Sequence, residues 1–132
     1  MRYALDTNTL IYFFKGHGHI ARNLLATPPA DVMIPAVVVY EIETGIAKST
    51  DPDKRTRQLA ELLDAVTVLP LDVESARRAA HIRARLERQG TPIGPMDTLI
   101  AGTALAHNAT LVTHNTTEFR RVPELQLTDW FV

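Results

Sequence analysis

The strongest constraint on this chain lies at its start. Tyr3-Ala4-Leu5 is a short apolar run that stops at Asp6, and Thr7-Asn8-Thr9 then leads into Leu10 to Phe14, apolar at helical spacing. A strand handed to a helix through an acid holds that acid at the strand's carboxyl end. In open α/β sheets that edge collects ligands, because loops and helix N-termini converge there. Whatever else reaches the same edge will share its chemistry with Asp6.

The rest of the chain alternates strand and helix. Gly16 to Gly18 break the first helix, and His19 to Ala26 form a short one ended by Thr27-Pro28-Pro29. Asp31 to Ile34 is the next strand. Pro35 suits the first turn of a helix, where a missing N–H costs nothing, and that helix runs from about Ala36 to Lys48. The triplet Val37-Val38-Val39 pulls the other way, towards strand. Asp51-Pro52-Asp53 opens a helix with Leu59, Leu62 and Leu63 on one face, followed by a third buried strand, Val66 to Leu69. Asp72 is placed to cap a long helix reaching Gln89, with a stripe of Val73, Ala76, Ala79, Ile82 and Leu86 and a stop at Gly90. A rigid loop, Thr91 to Pro95, leads to Asp97 and to a helix from Leu99 to His107 that is apolar on nearly every side and therefore central. Thr110 to Thr113 is a fourth strand, His114 to Phe119 a polar loop or single turn, and Leu125 to Thr128 a fifth strand. The order implies parallel strands joined by right-handed crossovers, with helix N-termini gathered at the strand carboxyl edge.

At 132 residues the chain has the length of one domain, and 1–132 is expected to be a single unit around one core. No apolar run is long enough to span a bilayer, so no membrane contact is expected. The absence of cysteine removes disulfide frameworks and thiolate metal sites, and with no signal peptide in view the expected location is the cytoplasm. A net charge of -1 argues against coating nucleic acid by bulk electrostatics, yet is compatible with cutting it through a metal.

Four acidic stretches reach the expected edge: Asp6 after the first strand, Glu41 or Glu43 early in the helix after the second, Asp97 at the central helix, and Asn115 with Glu118 after the fourth strand. Singly, Asp6 and Asp97 read as helix caps, and Asn115 and Glu118 as a turn. Helical periodicity does not choose between Glu41 and Glu43. Jointly, carboxylates this close repel unless a cation neutralises them. Magnesium is the natural one, with manganese as the alternative: both are hard, prefer oxygen and keep reactive waters. Thr7, Asn8 and Thr113 are placed to hydrogen-bond around such a site.

Leu5-Asp6-Thr7-Asn8, Glu41 to Gly45, Ile93 to Asp97 through Ala101, and Leu111 to Asn115 with Glu118-Phe119 occur in an order that resembles PIN-domain ribonucleases, and more narrowly the VapC toxins of toxin–antitoxin pairs. The resemblance covers nearly the whole chain, to Asp129-Trp130. It implies a three-layer α/β/α fold with a parallel sheet, Asp6 on its central strand, and magnesium-dependent endonucleolytic cleavage of RNA by metal-activated water. It implies Asp6 and Asp97 as main metal ligands and Glu41, rather than Glu43, as the helical acid. Asn115 stands where the family commonly has aspartate, so a second metal would depend on Glu118. An amide there followed by Glu-Phe resembles the branch that acts on tRNA. The resemblance also implies a homodimer and a cognate antitoxin that blocks the cleft.

Basic residues fall in two places. Arg77, Arg78, Arg83, Arg85 and Arg88 crowd one helix and, with Arg120 and Arg121 just beyond the acidic loop, could track a phosphate backbone; a solvated face with Glu74 and Glu87 as partners accounts for most of the helix arginines, and only Arg120 and Arg121 are tied by position to the site. Tyr12, Phe13 and Phe14 cannot all be buried in so small a domain, which leaves part of that patch for a partner. His114 is a solvated loop residue, and His17, His19, His81 and His107 have no ligand spacing. Two rival readings compete with the nuclease. One is a catalytically weakened PIN-like module that binds RNA or a partner, motivated by Asn115. The other is an aspartate-nucleophile phosphotransferase, disfavoured by Asn8 where a second acid belongs and by the lack of any lysine after Lys54.

Overall fold

The computed structural model describes residues 1–132. Its centre is a five-stranded sheet in the order β3-β2-β1-β4-β5. Every pair is parallel: β1 (Tyr3–Leu5) lies between β2 (Val32–Pro35) and β4 (Thr110–Val112), with β3 (Thr67–Leu69) and β5 (Leu127–Thr128) outside. Register pairs Tyr3 with Val32 on one side and with Thr110 on the other, so the carboxyl ends of β1, β2 and β4 come out level. Helices α1 (Thr7–Lys15), α2 (Ile20–Leu25), α3 (Ala36–Ala47), α4 (Asp53–Ala65), α5 (Val73–Arg88), α6 (Pro95–Ala106) and α7 (Thr116–Phe119) complete the chain. Ala4, Leu5, Ile34, Ile100, Ala101, Ala104, Leu111 and Val112 are wholly shielded from solvent, which puts the core where the central strands meet α6. A parallel sheet needs this cover, because strands joined by crossover helices are buried on both faces.

The expected elements are present, with instructive shifts. Val37 and Val38 are helical after all: burial against the core outweighs a strand preference of well under 1 kcal/mol per residue. Pro35 ends β2 and stands at the N-cap of α3 with extended backbone (φ -59°, ψ 142°), not inside the first turn. Strand β3 is an edge strand with Thr67 and Val68 exposed, so the expected third buried strand is buried only at Leu69. On α5 the buried row is Ser75, Ala79, Ile82 and Leu86, while Val73 and Ala76 face solvent. Composition suggested the wrong start for that stripe because the row is chosen by size, not polarity. A Cβ at Gly102 of α6 would lie 2.6 Å from the backbone N of Ala79 and 2.7 Å from the carbonyl of Ser75, so only small residues fit where these helices cross.

The crossing also corrects the expected placement of α5. Asp72 meets His107 at 3.4 Å, so the start of α5 lies at the end of α6 and the two form an antiparallel pair. The N-terminus of α5 is therefore at the far end from that of α6. Of the two, only α6 points its first turn at the strand edge carrying Asp6. Helix α6 also begins at Pro95, four residues before the expected Leu99, because proline is favoured at the first helical position.

The aromatic run of α1 divides as its size requires. Phe14 is buried under the Arg55 guanidinium, 5.2 Å from the ring centre, while Tyr12 and Phe13 are half-buried. Tyr12 joins a cluster with His114 and Phe131, and His114 is no free loop residue: its Nδ1 lies 2.8 Å from Asp129 and its ring stacks on Phe131 at 4.2 Å. Gly18 makes that seat, because a Cβ there would lie 2.7 Å from the Phe131 ring and its φ of 63° suits glycine.

Candidate active site

Asp6 is buried at 3% exposure in the link between β1 and α1. Its backbone N–H still donates to Val112, continuing the ladder with β4, while its side chain turns to cap the helix: Oδ1 accepts from the Thr9 N–H at 2.9 Å. The Thr9 hydroxyl donates to the Val112 carbonyl, pinning the cap to the sheet. Capping and site chemistry are thus compatible in one residue, since the cap bond occupies Oδ1. Thr9 was not among the positions singled out from sequence. The Asp-x-x-Thr spacing, N-cap to third helical residue, was the available signal.

Burial drives the Asp6 carboxyl above the usual carboxylate range, hydrogen bonds from Thr113 and Thr9 oppose the rise, and the charge of Glu41 adds to it. Glu41 is half-buried on α3 and accepts a hydrogen bond from the Thr7 hydroxyl, whereas Glu43 is exposed. The fold therefore brings Glu41 to the site and leaves Glu43 outside.

Asp97 is not a cap. It is the third residue of α6, whose N-cap is Gly94, and it receives no hydrogen bond from the protein. Its carboxyl is pushed up to about 6, first by burial and then by the negative charges of Asp6, Glu41 and Glu118. Asp97 thus feels the charge of acids from three other segments of the chain.

The remaining wall is built by the short helix α7. Asn115 donates its side-chain amide to Glu118 at 3.0 Å and its backbone N–H to the Thr113 hydroxyl at 3.0 Å. Asn115 thus orients the acid beside it and contributes no charge. Asn8 is exposed and supplies no hydrogen bond to the cluster, against expectation; on the first turn it points away from the side held by Thr7 and Thr9. Arg120 and Arg121 are exposed just beyond α7, with Arg121 donating to the Pro92 carbonyl in the loop that precedes α6.

The acids gathered at the cleft offer carboxylate oxygens, which suit a hard cation, and the raised Asp97 carboxyl marks negative charge in excess of local neutralisation. No three acidic or histidine side chains converge as a ready-made cage. Replacing Thr7 with valine frees Glu41 to swing, and metal affinity measured by calorimetry is expected to fall about 10- to 100-fold with the fold intact.

A parallel sheet whose central strand ends in a buried aspartate, faced by acids from the following helices, defines a PIN-type domain, and the PIN domain model matches residues 3–125. The tRNA(fMet)-specific endonuclease VapC of Salmonella typhimurium is 32% identical over 130 residues, covering 98% of both chains. Ribonuclease VapC2 of Rickettsia felis is 33% identical over 132 residues, again with 98% of each covered. Among solved structures, VapBC2 from Rickettsia felis bound to a DNA fragment from its promoter superposes with a TM-score of 0.91 at 32% identity, over 98% of this chain and 99% of that one. The chain belongs to the PIN-domain family, in its VapC ribonuclease branch.

Proposed function

We propose that this chain is the toxin of a toxin–antitoxin pair, acting as one domain: an endoribonuclease that hydrolyses RNA phosphodiester bonds with magnesium held by Asp6 and Asp97 and by Glu41 directly or through water. The observation that carries this reading is Asp97, a half-buried carboxylate with no donor of its own, facing three further carboxylates. When bound, the cation neutralises the cleft, bears on the scissile phosphate and lowers the pKa of water there. The protein's share is positioning. Thr9 and Thr113 fix Asp6, Thr7 fixes Glu41, and Asn115 fixes Glu118 on the far wall. Arg120 and Arg121 meet the RNA backbone beside the cut.

The Salmonella relative's name supports tRNA as substrate class, and the solved VapBC complexes support a cognate antitoxin; in this reading that antitoxin covers the cleft. A second copy of the chain completes the assembly, and the partly exposed aromatic face of α1 is a surface for such partners. Asn115 gives little support to a non-cutting module, because its amide holds an acid in place. The phosphotransferase reading gains nothing from Asn8, which is neutral and exposed where a second acid belongs.

The test uses purified protein freed of antitoxin, incubated with total RNA in magnesium, in chelator, and as Asp6→Ala and Asp97→Ala variants. Discrete cleavage that requires metal and is lost in both variants is the expected result. Cleavage that survives Asp6→Ala would sink the assignment and point to a contaminating nuclease. Metal binding without cleavage would favour the binding module.

A further inference from the structure

Helix α5 carries five arginines, and the structure sorts them by partner. Arg78 pairs with Glu74 and Arg83 with Glu87, each at 3.0 Å over one helical turn. Arg77 and Arg85 are exposed and make no ion pair. With His81 they stand four residues apart in a single row, a step of about 6 Å along a rigid helix. The row is one wall of a groove of about 430 Å³ in which Ile82, Leu105 and Pro123 also take part. Glu124, with a left-handed backbone (φ 68°), also lines it, and the other acid of the lining, Glu74, is already engaged by Arg78.

None of the clustered carboxylates lines this groove, yet it is joined to them. From Glu118 in the cleft the chain runs through exposed Arg120 and Arg121 to Pro123 and Glu124 at the groove. Five residues span at most about 18 Å even when extended, which bounds the gap. An acidic cleft repels a polyanion until a cation arrives, so a nuclease of nearly neutral net charge gains from a separate basic hold. Unpaired guanidiniums on a fixed helix suit phosphate, to which they bond bidentately.

Resting on the nuclease reading above, we propose that the Arg77–His81–Arg85 row and its groove hold the phosphate backbone of the RNA substrate away from the cut. Part of the substrate that never reaches the carboxylates then contributes to its selection. The path runs from the cleft over Arg120 and Arg121 to the groove.

The test measures fluorescence anisotropy of labelled bulk tRNA over a salt series, in the Asp97→Asn background so that RNA is not cut. Arg77→Ala/Arg85→Ala is compared with Arg83→Ala/Arg88→Ala, which removes the same charge elsewhere on the helix. The row variant is expected to bind at least about tenfold more weakly and to lower the log–log salt slope by about 1.5, two phosphate contacts' worth, with melting temperature unchanged; the control keeps the parent slope. Equal slopes in row variant and parent, equal losses in both variants, or no tRNA binding by the parent would overturn the proposal. Unchanged RNA binding with a weakened antitoxin complex would assign the groove to an acidic protein segment instead and overturn it too. Metal-dependent cleavage by the unsubstituted chain is scored separately, so the groove can fail while the nuclease reading stands.

Discussion

Asp97→Asn will give a protein that has lost RNA cleavage and melts at a higher temperature than its parent when both are free of metal. The two effects share one cause. A carboxyl raised to about 6 in the folded chain has a lower value when unfolded, so the native state binds more protons between about pH 4 and 6. Its contribution to stability is complete below pH 4 and is lost as pH rises through 6. At neutral pH the ionised group destabilises the metal-free protein by about 2 kcal/mol, allowing for solvent screening at a half-buried position. Asparagine has a similar shape and no charge. In chelator at pH 7 it should raise the melting temperature by roughly 5–10 °C and flatten the fall in stability between pH 4 and 6. Magnesium should stabilise the parent and leave the variant nearly unmoved, since ligand binding to the native state adds stability by mass action. Cleavage should drop by about a thousandfold or more, the scale on which charge stabilisation of a transition state is lost. An Asp97→Asn protein that melts below its parent in chelator would show that Asp97 is structural. On the proposed reading the site is a stored repulsion, held together by the surrounding fold, that a bound cation would relieve.

Gly102→Ala should be among the most damaging single-methyl changes in the chain. Ordinarily alanine improves a helix over glycine by about 1 kcal/mol. At Gly102 the added carbon would meet the backbone of α5 at 2.6–2.7 Å and the Ala79 Cβ at 2.8 Å, with no flexible side-chain tip able to yield. Overpacking of this kind costs about 1–3 kcal/mol or more, and the whole α5–α6 contact must open to relieve it. A net loss of about 2 kcal/mol is expected, seen as a fall in melting temperature of roughly 5–10 °C, and Gly102→Leu should not yield folded protein. Gly45, also helical but with open space where its Cβ would sit, is the control: Gly45→Ala should be neutral or stabilising. Equal effects at the two positions would show that the helix crossing is looser than it stands here.

Local chemistry fixed much of this molecule in advance. Tyr3-Ala4-Leu5 before Asp6, the cap at Asp72 and the stop at Gly90 are decided by neighbours within a few residues, and each lies where the sequence puts it. The ordered acids were legible for the same reason: a parallel topology returns each strand end to one edge, so position along the chain implies position in space. The edge character of β3 was not legible, since a strand's place in the sheet is set by its partners and not by its own residues. Nor was the direction of α5, which shows only in its antiparallel packing on α6.

The site divides along the same line. Sequence alone determined which residue types meet at the strand edge, because Asp6, Glu41, Asp97 and Glu118 are tied to the ends of elements that local patterning defines. Only the tertiary structure decided which acid of α3 turns inward, that Asp97 lacks any donor, that Asn115 serves Glu118, and that Arg77 and Arg85 stand unpaired beside a groove. The physical reason is range. Caps, turns and periodicity act over a few residues of chain, whereas burial, repulsion between carboxylates and the pairing of surface charges depend on what the fold brings within a few ångströms.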